Sequence, residues 1–562
     1  MSTAPQQPQH PLPTPATPPA HRAPAVDRRT FIGLIGAAAA SFGLVGLAGC
    51  GTASTGGAAS GTGDGPQLAD TITYGQDADP TALDPAFFDD GESMKVNCNI
   101  YEGLYRYAPT DATVEPCLAT ELPTVSDDGL TYTIKLREGV TFHDGAPFNA
   151  QAAKRSIERQ LEPARTSGML YASFIYGSEQ SGTGVAKVEA PDDYTLVITL
   201  RTPSTPFVKN LAMALGAPIV SPQALDDAND GNITAHPVGT GPYQFISWTK
   251  QANVILQAYE GYWDVAHLPK TKNVIFKTIP DASARVQALN TGEVDIIDGI
   301  DAANADEVVR NGGVLFAEDG MTVNYMAFNM DSEKTGDVEV RRAIAQAVDT
   351  AELVKTIYGD YATPANSIMP LWMAPYDAAV QQTAYDPDAA RATLAAKGIT
   401  ELNCITYTNA RQFNNKGGQP LAETIQGYLD KVGVKLNVEA YEWATYKEKV
   451  NTEPFDVCFY GWTGDNGDPD NFMNLLADTN RNTNVANWHN DEYDALIAKG
   501  LALPDGDERN QVYLRCEQIA AEQQPWLLIS HSKNLCGLSP KVHDFQFHPT
   551  AAVFMKGVTK EK

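Results

Sequence analysis

The segment GWTGDNGDPDNF places three carboxylates, Asp465, Asp468 and Asp470, within six positions of one another. Such a density suits a metal-binding loop, a catalytic acid pair or a receptor for a cationic group. An EF-hand calcium loop needs oxygen donors at its first, third and fifth positions and glycine at its sixth. Counted from Asp465, these three later positions hold Gly467, Pro469 and Asp470, so the calcium pattern fails. We predict no metal site here.

Asp468 and Asp470 flank Pro469 at the start of PDNFMNLL, a run with helical character. An aspartate in front of a helix accepts the free N–H groups of its first turn. We therefore interpret these two aspartates as helix caps rather than ligand contacts. Asp465 is left as the candidate for a ligand.

The elements that must position Asp465 are strands alternating with helices. Three segments read as strands: ELNCITYT, VKLNVEAYE and FDVCFYGW. Between them, LAETIQGYLDKVG has apolar residues at helical spacing, and ATYKEKVN reads as a short helix. This order predicts a parallel, right-handed βαβαβ unit. Ligands of open α/β sheets bind beyond the carboxyl ends of the strands. The residues that follow these three strands include Arg411, Trp443 and Asp465.

An arginine and an aspartate along one sheet edge suit a zwitterionic ligand. The aspartate takes an ammonium group and the arginine takes a carboxylate. The alternative for Arg411 is an ordinary basic residue of a surface loop. Trp443 and Trp462 could be core residues without a role in binding. Their placement at strand ends favours the other interpretation, that they form walls of a pocket.

Composition narrows the class of protein. The chain has 562 residues, of which 43% are apolar and 20% charged, and this size predicts two or three packed units. A formal net charge of −28 argues against a nucleic-acid partner, because phosphate binding needs a surface rich in Lys and Arg. No G-x-S-x-G, H-E-x-x-H or P-loop motif occurs, so we do not expect an enzyme. A hydrolase with a carboxylate pair remains a remote alternative.

The amino-terminal region has the features of an export signal. RRTFIGLIGAAAASFGLVGLAGC contains an arginine pair, a weakly apolar stretch and small residues before Cys50. Residues 1–49 resemble a twin-arginine-type lipoprotein signal peptide, which implies cleavage before Cys50 and lipidation of that residue. The alternatives are an uncleaved membrane anchor and a small buried helix. Residues 50–69 read as a flexible tether, so we expect an extracytoplasmic protein anchored by lipid to the cell membrane.

Cysteines other than Cys50 give no further signal. Export makes disulfides possible, but six thiols allow about fifteen pairings and their spacing does not choose among them. No C-x-x-C occurs, which argues against a zinc ribbon. The residues concerned are Cys98, Cys117, Cys404, Cys458, Cys516 and Cys536.

Several motifs in the same order resemble one protein family. They are LTYTIKLREGVTFHDGAPFNA, PVGTGPYQFISW, NYMAFNM, VEVRRAIAQAVD, AYEWATY and GWTGDNGDPDNF. From about Thr71 to its end the chain resembles family 5 of the extracytoplasmic solute-binding proteins, which serve peptide ABC transporters, and it is closest to the dipeptide-binding proteins. The resemblance implies an α/β fold shaped as a two-lobed clamp of the periplasmic-binding-protein type II, with mixed sheets flanked by helices.

The resemblance also implies domain boundaries. Lobe I comprises residues 70–320 plus 534–562 and carries an extra subdomain at about 115–235. Lobe II comprises residues 321–533.

The function implied by the resemblance is the capture of short peptides, most of all dipeptides, for a membrane permease and its ATPase. Asp465 then holds the peptide ammonium and Arg411 holds the terminal carboxylate, while Trp443, Trp462 and the backbone at Gly461 line the pocket. We expect a monomer without cofactor. Relatives with this fold that bind nickel chelates, sugars or haem are the alternative, and a neutral sugar has no use for the Asp/Arg pair.

Overall fold

A computed structural model describes residues 67–162, 168–169, 171–178, 182–373, 375, 380, 382–478 and 483–562. The predicted signal peptide, Cys50 and nearly all of the predicted tether lie outside these residues. Among the described helices, none combines the length and the apolar character that crossing a bilayer requires.

Strands and helices alternate along much of the chain. Many helices begin after an aspartate or asparagine whose side chain accepts a backbone N–H of the first turn, such as Asp90 and Asp349. The strands are β1 Thr71–Gln76, β2 Tyr105–Tyr107, β3 Val114–Pro116, β4 Thr124–Val125, β5 Thr131–Lys135, β6 Val185–Asp192, β7 Thr195–Leu200, β8 Tyr243–Thr249, β9 Asn253–Ala258, β10 Asn273–Thr278, β11 Ile296–Ile297, β12 Val314–Asp319, β13 Thr322–Phe328, β14 Ala362–Pro364, β15 Glu401–Tyr407, β16 Lys435–Tyr441, β17 Val457–Thr463, β18 Trp526–Leu538, β19 Val542–His543 and β20 Thr559–Lys560.

The helices are α1 Gly91–Ile100, α2 Ala150–Glu158, α3 Ala172–Tyr176, α4 Phe207–Asn210, α5 Pro222–Asp227, α6 Ala282–Thr291, α7 Ala302–Arg310, α8 Val338–Gln346, α9 Thr350–Tyr358, α10 Pro387–Ala396, α11 Gly418–Lys431, α12 Trp443–Thr452, α13 Asp470–Met473, α14 Asp491–Ala502 and α15 Asp507–Gln523. Short 3-10 helices cover Val265–His267 and Asn474–Leu476.

A large mixed sheet runs through the described chain. Its strand order is β16-β15-β17-β13-β18-β11-β1-β10-β9-β8, and β12 and β14 also pair with β18. The long strand β18 changes partners along its length. Residues 526–532 pair with β13 and β14, whereas residues 533–538 pair with β12 and β11. A separate antiparallel sheet has the order β4-β5-β7-β6.

Two large hydrophobic clusters pack on this framework. The first draws on residues between Ile72 and Ile296 and on a return of the chain between Cys536 and Val558. The second lies entirely between Met321 and Ile529. The chain therefore passes from one cluster to the other between β12 and β13, and passes back within β18.

The predicted βαβαβ unit is confirmed as β15-α11-β16-α12-β17. Strand β15 pairs in parallel with β16 on one side and with β17 on the other. All three carboxyl ends therefore lie at one edge of the sheet. Because the apolar residues of α11 recur at helical spacing, one face of this helix is buried, with Leu421, Ile425 and Leu429 fully covered.

The six cysteines of the folded part are all buried and free. In the described residues they form no disulfide, so none of the fifteen pairings is present. Burial raises the pKa of several of these thiols, including Cys98 and Cys458, to about 12. These side chains therefore behave as small core residues.

Candidate functional site

Every residue predicted to contact the ligand lines one cavity of about 1640 Å³. Arg411, Trp443, Gly461, Trp462 and Asp465 all line it. The same cavity is lined by residues from the first hydrophobic cluster and its surroundings, which lie far away along the chain. Its volume exceeds the ~300–1,000 Å³ of ordinary small-ligand pockets.

The parallel strands explain why these residues meet. β15 ends at Tyr407, β16 at Tyr441 and β17 at Thr463. Arg411 lies in the loop after the first, Trp443 begins the helix after the second, and Asp465 follows the third. The carboxyl edge of the sheet therefore brings a cation, an aromatic ring and a carboxylate to one cavity, as the sequence predicts.

The Asp465 carboxylate is buried, and among the described residues it accepts side-chain hydrogen bonds from neutral groups only. It is 9% exposed, and its Oδ1 accepts a hydrogen bond of 3.0 Å from the Tyr171 hydroxyl while its Oδ2 accepts one of 3.0 Å from Asn471 Nδ2. Among the described residues no lysine, arginine or histidine forms an ion pair with it. Burial raises the pKa of Asp465 to about 6, although the hydrogen bonds from Asn471 and Tyr171 oppose this. An incoming ammonium group would supply the missing positive charge.

Arg411 is the matching cation. Its backbone closes a tight turn with Asn414 through two hydrogen bonds of 2.8 Å. Its guanidinium carbon lies 4.2 Å from the centre of the Trp443 ring, and its Nε is buried without a hydrogen-bond partner among the residues that the structure describes. In the part of the chain that the structure describes, no carboxylate forms an ion pair with it. Burial lowers the pKa of Arg411, and the charge of Glu92 is the largest effect in the opposite direction.

Trp443 belongs to an aromatic cluster that supports Arg411. Its ring centre lies 5.3 Å from that of Tyr407, 5.4 Å from that of Tyr460 and 6.2 Å from that of Phe413. Because these neighbours are packed in the core, the tryptophan presents a fixed face to the guanidinium. Trp443 is thus both a core residue and a wall of the cavity, so the two readings of this residue do not exclude each other.

Gly461 and Trp462 lie near the end of β17, just before Thr463, and line the cavity. A Cβ atom at Gly461 would lie 2.2 Å from Phe413 Cδ2 and 2.6 Å from the Val323 oxygen, so only glycine lets these groups approach. Trp462 Nε1 donates a hydrogen bond of 3.0 Å to Asn471 Oδ1. That oxygen also accepts the backbone N–H of Asp465, at 2.9 Å. Asn471 therefore ties the tryptophan to the aspartate.

Asp468 and Asp470 do not line the cavity, and they differ from each other. Asp468 is fully buried in a bidentate pair with Arg509, at 2.6 and 3.0 Å, and also bonds Lys209 at 2.9 Å. Its Oδ1 accepts the N–H of Asp470, the first residue of α13. The prediction that Asp470 caps this helix is wrong, because the helix begins at Asp470 itself and Pro469 occupies the cap position.

These two aspartates also bear on the hydrolase alternative. Burial acts to raise the pKa of Asp468, but Lys209 and Arg509 outweigh it and the pKa is lowered. Burial and the charge of Asp468 raise the pKa of Asp470 to about 7. A pair of acids with separated pKa values is what general acid–base chemistry needs, but this pair lies outside the cavity. Within the described residues no group of three or more His, Cys, Asp or Glu could hold a metal ion.

Sequence reasoning missed the groups that hold Asp465 from the other side. Tyr171 is 294 positions away along the chain, and no local pattern links it to GWTGDNGDPDNF. The hydroxyl of Tyr107 donates to the Asp465 carbonyl oxygen at 3.2 Å, again from a distant segment. The role of Asn471 could have been predicted, because this amide side chain lies only six positions after Asp465 in the same segment.

Comparison with known proteins agrees with this fold. Residues 113–484 match the family described as bacterial extracellular solute-binding proteins, family 5. A di/tripeptide-binding protein of Pseudomonas aeruginosa is 30% identical over 86% of this chain and 93% of that protein. Heme-binding protein A of Haemophilus influenzae is also 30% identical, over 85% of this chain and 90% of that protein.

A solved structure gives the same answer for the fold. It is an ABC transporter-associated periplasmic binding protein of Helicobacter pylori in complex with the peptide STSA, which is 27% identical and has a TM-score of 0.77 over 88% of this chain and 99% of its own. The predicted α/β fold, a two-lobed clamp of the type II binding proteins, is thereby confirmed. All three are named as binding proteins, and the Helicobacter pylori protein is described as associated with an ABC transporter. The chain belongs to family 5 of the bacterial extracellular solute-binding proteins.

Proposed function

We propose that this protein captures short peptides, dipeptides above all, by their charged termini and delivers them to the permease of an ABC importer. Asp465 binds the peptide ammonium and Arg411 binds the terminal carboxylate. Trp443, Trp462 and the backbone at Gly461 form the walls around the peptide. The relative from Pseudomonas aeruginosa that binds di- and tripeptides supports this ligand class.

One observation carries the proposal. Asp465 and Arg411 line the same cavity, carry opposite charges, and are held only by neutral groups among the described residues. Buried charges without a partner are costly, so proteins keep them where a ligand supplies the counter-charge. At about 4 Å a unit charge pair is worth roughly 4 kcal/mol at an effective dielectric of 20, and closure of the cavity over a peptide strengthens both pairs.

The proposal also assigns the lobes. Lobe I comprises residues 70–320 plus 534–562, with an extra subdomain at about 115–235, and lobe II comprises residues 321–533. Two hydrophobic clusters, and the change of partners along β18 after residue 532, support this division. The hydrogen bond from Tyr171 to Asp465 then joins the two lobes beside the ligand, so peptide binding and lobe closure favour each other.

Attachment and partners complete the proposal. Cys50 is the lipidated residue that holds a monomeric protein at the outer face of the cell membrane, close to the permease and its cytoplasmic ATPase. The lipobox-like residues before Cys50 and the arginine pair upstream support this.

Isothermal titration calorimetry with four ligands tests the two charges separately. The ligands are alanyl-alanine, its N-acetyl form, its C-amide form and trialanine. Because removing one member of a desolvated charge pair costs about 2–5 kcal/mol, each blocked dipeptide should bind at least about 30-fold more weakly than the free one. Trialanine should bind more weakly than alanyl-alanine, because two fixed charges match only one peptide length at ~3.3–3.6 Å per residue.

Variants assign each charge to its residue. Asp465→Asn should remove the preference for a free ammonium, and Arg411→Gln the preference for a free carboxylate. Asp89→Asn and Lys447→Gln are matched controls, because Asp89 and Lys447 line the cavity but already pair with each other at 3.3 Å. Equal binding of all four ligands by the natural protein would refute the zwitterion site. Binding of haem or a neutral disaccharide in their place would assign a non-peptide solute.

A further inference from the structure

A second group of charges lines the cavity on residues that the sequence does not single out. It consists of Asp77, Glu92, Lys95 and Asp298. The Lys95 side chain is 2% exposed, pairs with Asp298 and lies 3.3 Å from Glu92 Oε1. Two of the three carboxyl groups, those of Glu92 and Asp298, therefore share one ammonium group, whose charge also acts on Asp77.

Arg285 is the other cation beside this group, but it does not pair with these carboxylates. Its guanidinium donates its hydrogen bonds to backbone carbonyl oxygens. These belong to Ile279, Pro280, Asp298 and Gly299. Two carboxyl oxygens of the group, Asp77 Oδ1 and Asp298 Oδ1, are buried without a hydrogen-bond partner. The group thus holds more acid than the cations around it neutralise.

The carboxyl groups of Asp77 and Glu92 are in hydrogen-bond contact with each other. Two carboxyl oxygens form such a bond only when one of them carries a proton. Burial acts to raise the pKa of Asp77, but Lys95 and the bond to Glu92 outweigh it and the pKa is lowered. Burial, together with the charges of Asp77 and Asp90, raises the pKa of Glu92 to about 8, although Lys95 opposes this. At neutral pH the proton of the pair therefore resides on Glu92, which donates it to Asp77.

The start of α1, which carries Glu92, lies beside the loop that carries Arg411. Glu92 lies in the first turn of α1, and the preceding residue, Gly91, abuts Gln412, since a Cβ there would lie 3.0 Å from Gln412 Nε2. Of the charged groups around Arg411, Glu92 has the largest effect on the pKa of its guanidinium. An ionised Glu92 would offer Arg411 the same carboxylate that a peptide offers.

We propose that the Asp77–Glu92 pair is a positioning element of the binding site, which keeps one proton so that Arg411 stays available to the ligand carboxylate. This inference rests on the proposed peptide function and deepens it. When the pair loses its proton, Glu92 competes with the ligand for Arg411. The site then loses its preference for a free carboxylate.

Charged groups surround the pair, and together they set when it ionises. Lys95, Asp77 and Asp90 act on Glu92, and Arg285 acts on Asp77. Asp298 pairs with Lys95, and Arg411 after β15 feels the charge of Glu92.

The test is calorimetry of alanyl-alanine and of its C-amide at pH 7 and pH 9.5. For each ligand we take the ratio of its Kd at pH 9.5 to its Kd at pH 7. The quotient is this ratio for alanyl-alanine divided by the same ratio for the C-amide. The ammonium group titrates in both ligands, and the small difference between their ammonium pKa values is the same for the natural protein and for Glu92→Gln, so the comparison of the two proteins removes it. At pH 9.5 about 3% of a group with a pKa of about 8 stays protonated, so this quotient should reach up to about 30 for the natural protein.

Glu92→Gln should bring the quotient close to one, because the amide does not ionise. Asp77→Asn is the second variant. Without the neighbouring negative charge Glu92 ionises at lower pH, so the loss of preference should already be seen near pH 7.5. Asp89→Asn, which removes another carboxylate from the cavity, should keep the quotient of the natural protein.

Two results would overturn the inference: a quotient of one in the natural protein, or an unchanged quotient in Glu92→Gln. Neither touches the proposed function, which fails separately if alanyl-alanine and its amide bind equally at pH 7. Thermal unfolding of each variant at both pH values shows whether a change in binding reflects a change in folding.

Discussion

Asp465→Asn should stabilise the ligand-free protein at pH 7 while it weakens peptide binding. The folded state holds the Asp465 carboxyl at a pKa of about 6, against an ordinary value of 3.8. Because folding raises the pKa, the contribution of this group to stability is fully present below pH 3.8 and is lost as the pH rises through 6. Relative to strongly acidic solution, the ionisation of this buried carboxyl lowers the free energy of unfolding by about 3 kcal/mol at pH 7 and by about 1 kcal/mol at pH 4.5.

The local geometry lets an asparagine keep both hydrogen bonds. Its amide oxygen can accept from Asn471, and its NH₂ group can donate to the Tyr171 hydroxyl, which reverses its role. Asn471 itself cannot turn over, because its oxygen already accepts from Trp462 and from the Asp465 backbone. The substitution therefore removes a buried charge while both side-chain contacts are kept. The hydroxyl hydrogen of Tyr171 loses its acceptor, but this residue is only partly buried and lines the cavity.

Urea unfolding of protein refolded without peptide, at pH 7 and pH 4.5, measures this effect. Asp465→Asn should raise the free energy of unfolding by up to about 3 kcal/mol at pH 7, and the gain should fall to about a third of that at pH 4.5. Asp468→Asn makes the same change three positions away, but it leaves Arg509 buried without its bidentate partner. It should lower the free energy of unfolding by about 3–5 kcal/mol. If Asp465→Asn destabilised the protein equally at both pH values, Asp465 would not be an unpaired buried charge.

Three further substitutions test the walls and the anchor. Gly461→Ala should destabilise the protein by about 1–3 kcal/mol in urea unfolding, because a Cβ there collides with Phe413; Gly427→Ala, in an exposed helix position with no neighbour within 4 Å, should not. Trp443→Ala should weaken alanyl-alanine binding by about 0.5–2 kcal/mol in calorimetry, because the guanidinium loses its stacking face, and Trp443→Phe should recover part of it. Cys50→Ala should give protein without lipid in the soluble fraction; unlipidated protein firmly bound to membranes would contradict a lipid anchor.

The features that the sequence predicts correctly depend on local pattern. Alternation of apolar residues and helical spacing are properties of short windows, so the βαβαβ unit can be read directly. The parallel arrangement follows from the order of its elements, and the cavity follows from the parallel arrangement. Arg411, Trp443 and Asp465 could be brought together in this way because each directly follows one strand.

The features that the sequence does not predict depend on contacts between distant segments. Tyr171 reaches Asp465 and Arg509 reaches Asp468 only after the chain has folded. Capping is the local explanation for an aspartate before a helix, and it predicts the wrong role for Asp470 because the helix begins one residue earlier than a cap requires. The pairing of Asp77 with Glu92 likewise joins the end of β1 to the start of α1 across a loop without a recognisable motif.

The partners of a carboxylate separate its structural role from its binding role better than the density of carboxylates does. Asp468 meets the charge of Arg509, so its negative charge is already neutralised and a ligand would have to break an existing pair. Asp465 meets a hydroxyl and an amide, which fix its position without cancelling its charge. The ring face of Trp443 likewise fixes the Arg411 guanidinium without cancelling its charge. Both ligand-facing charges are therefore held in place by neutral groups, and the free energy that the fold gives up by leaving them unpaired is recovered when a ligand of opposite charges binds.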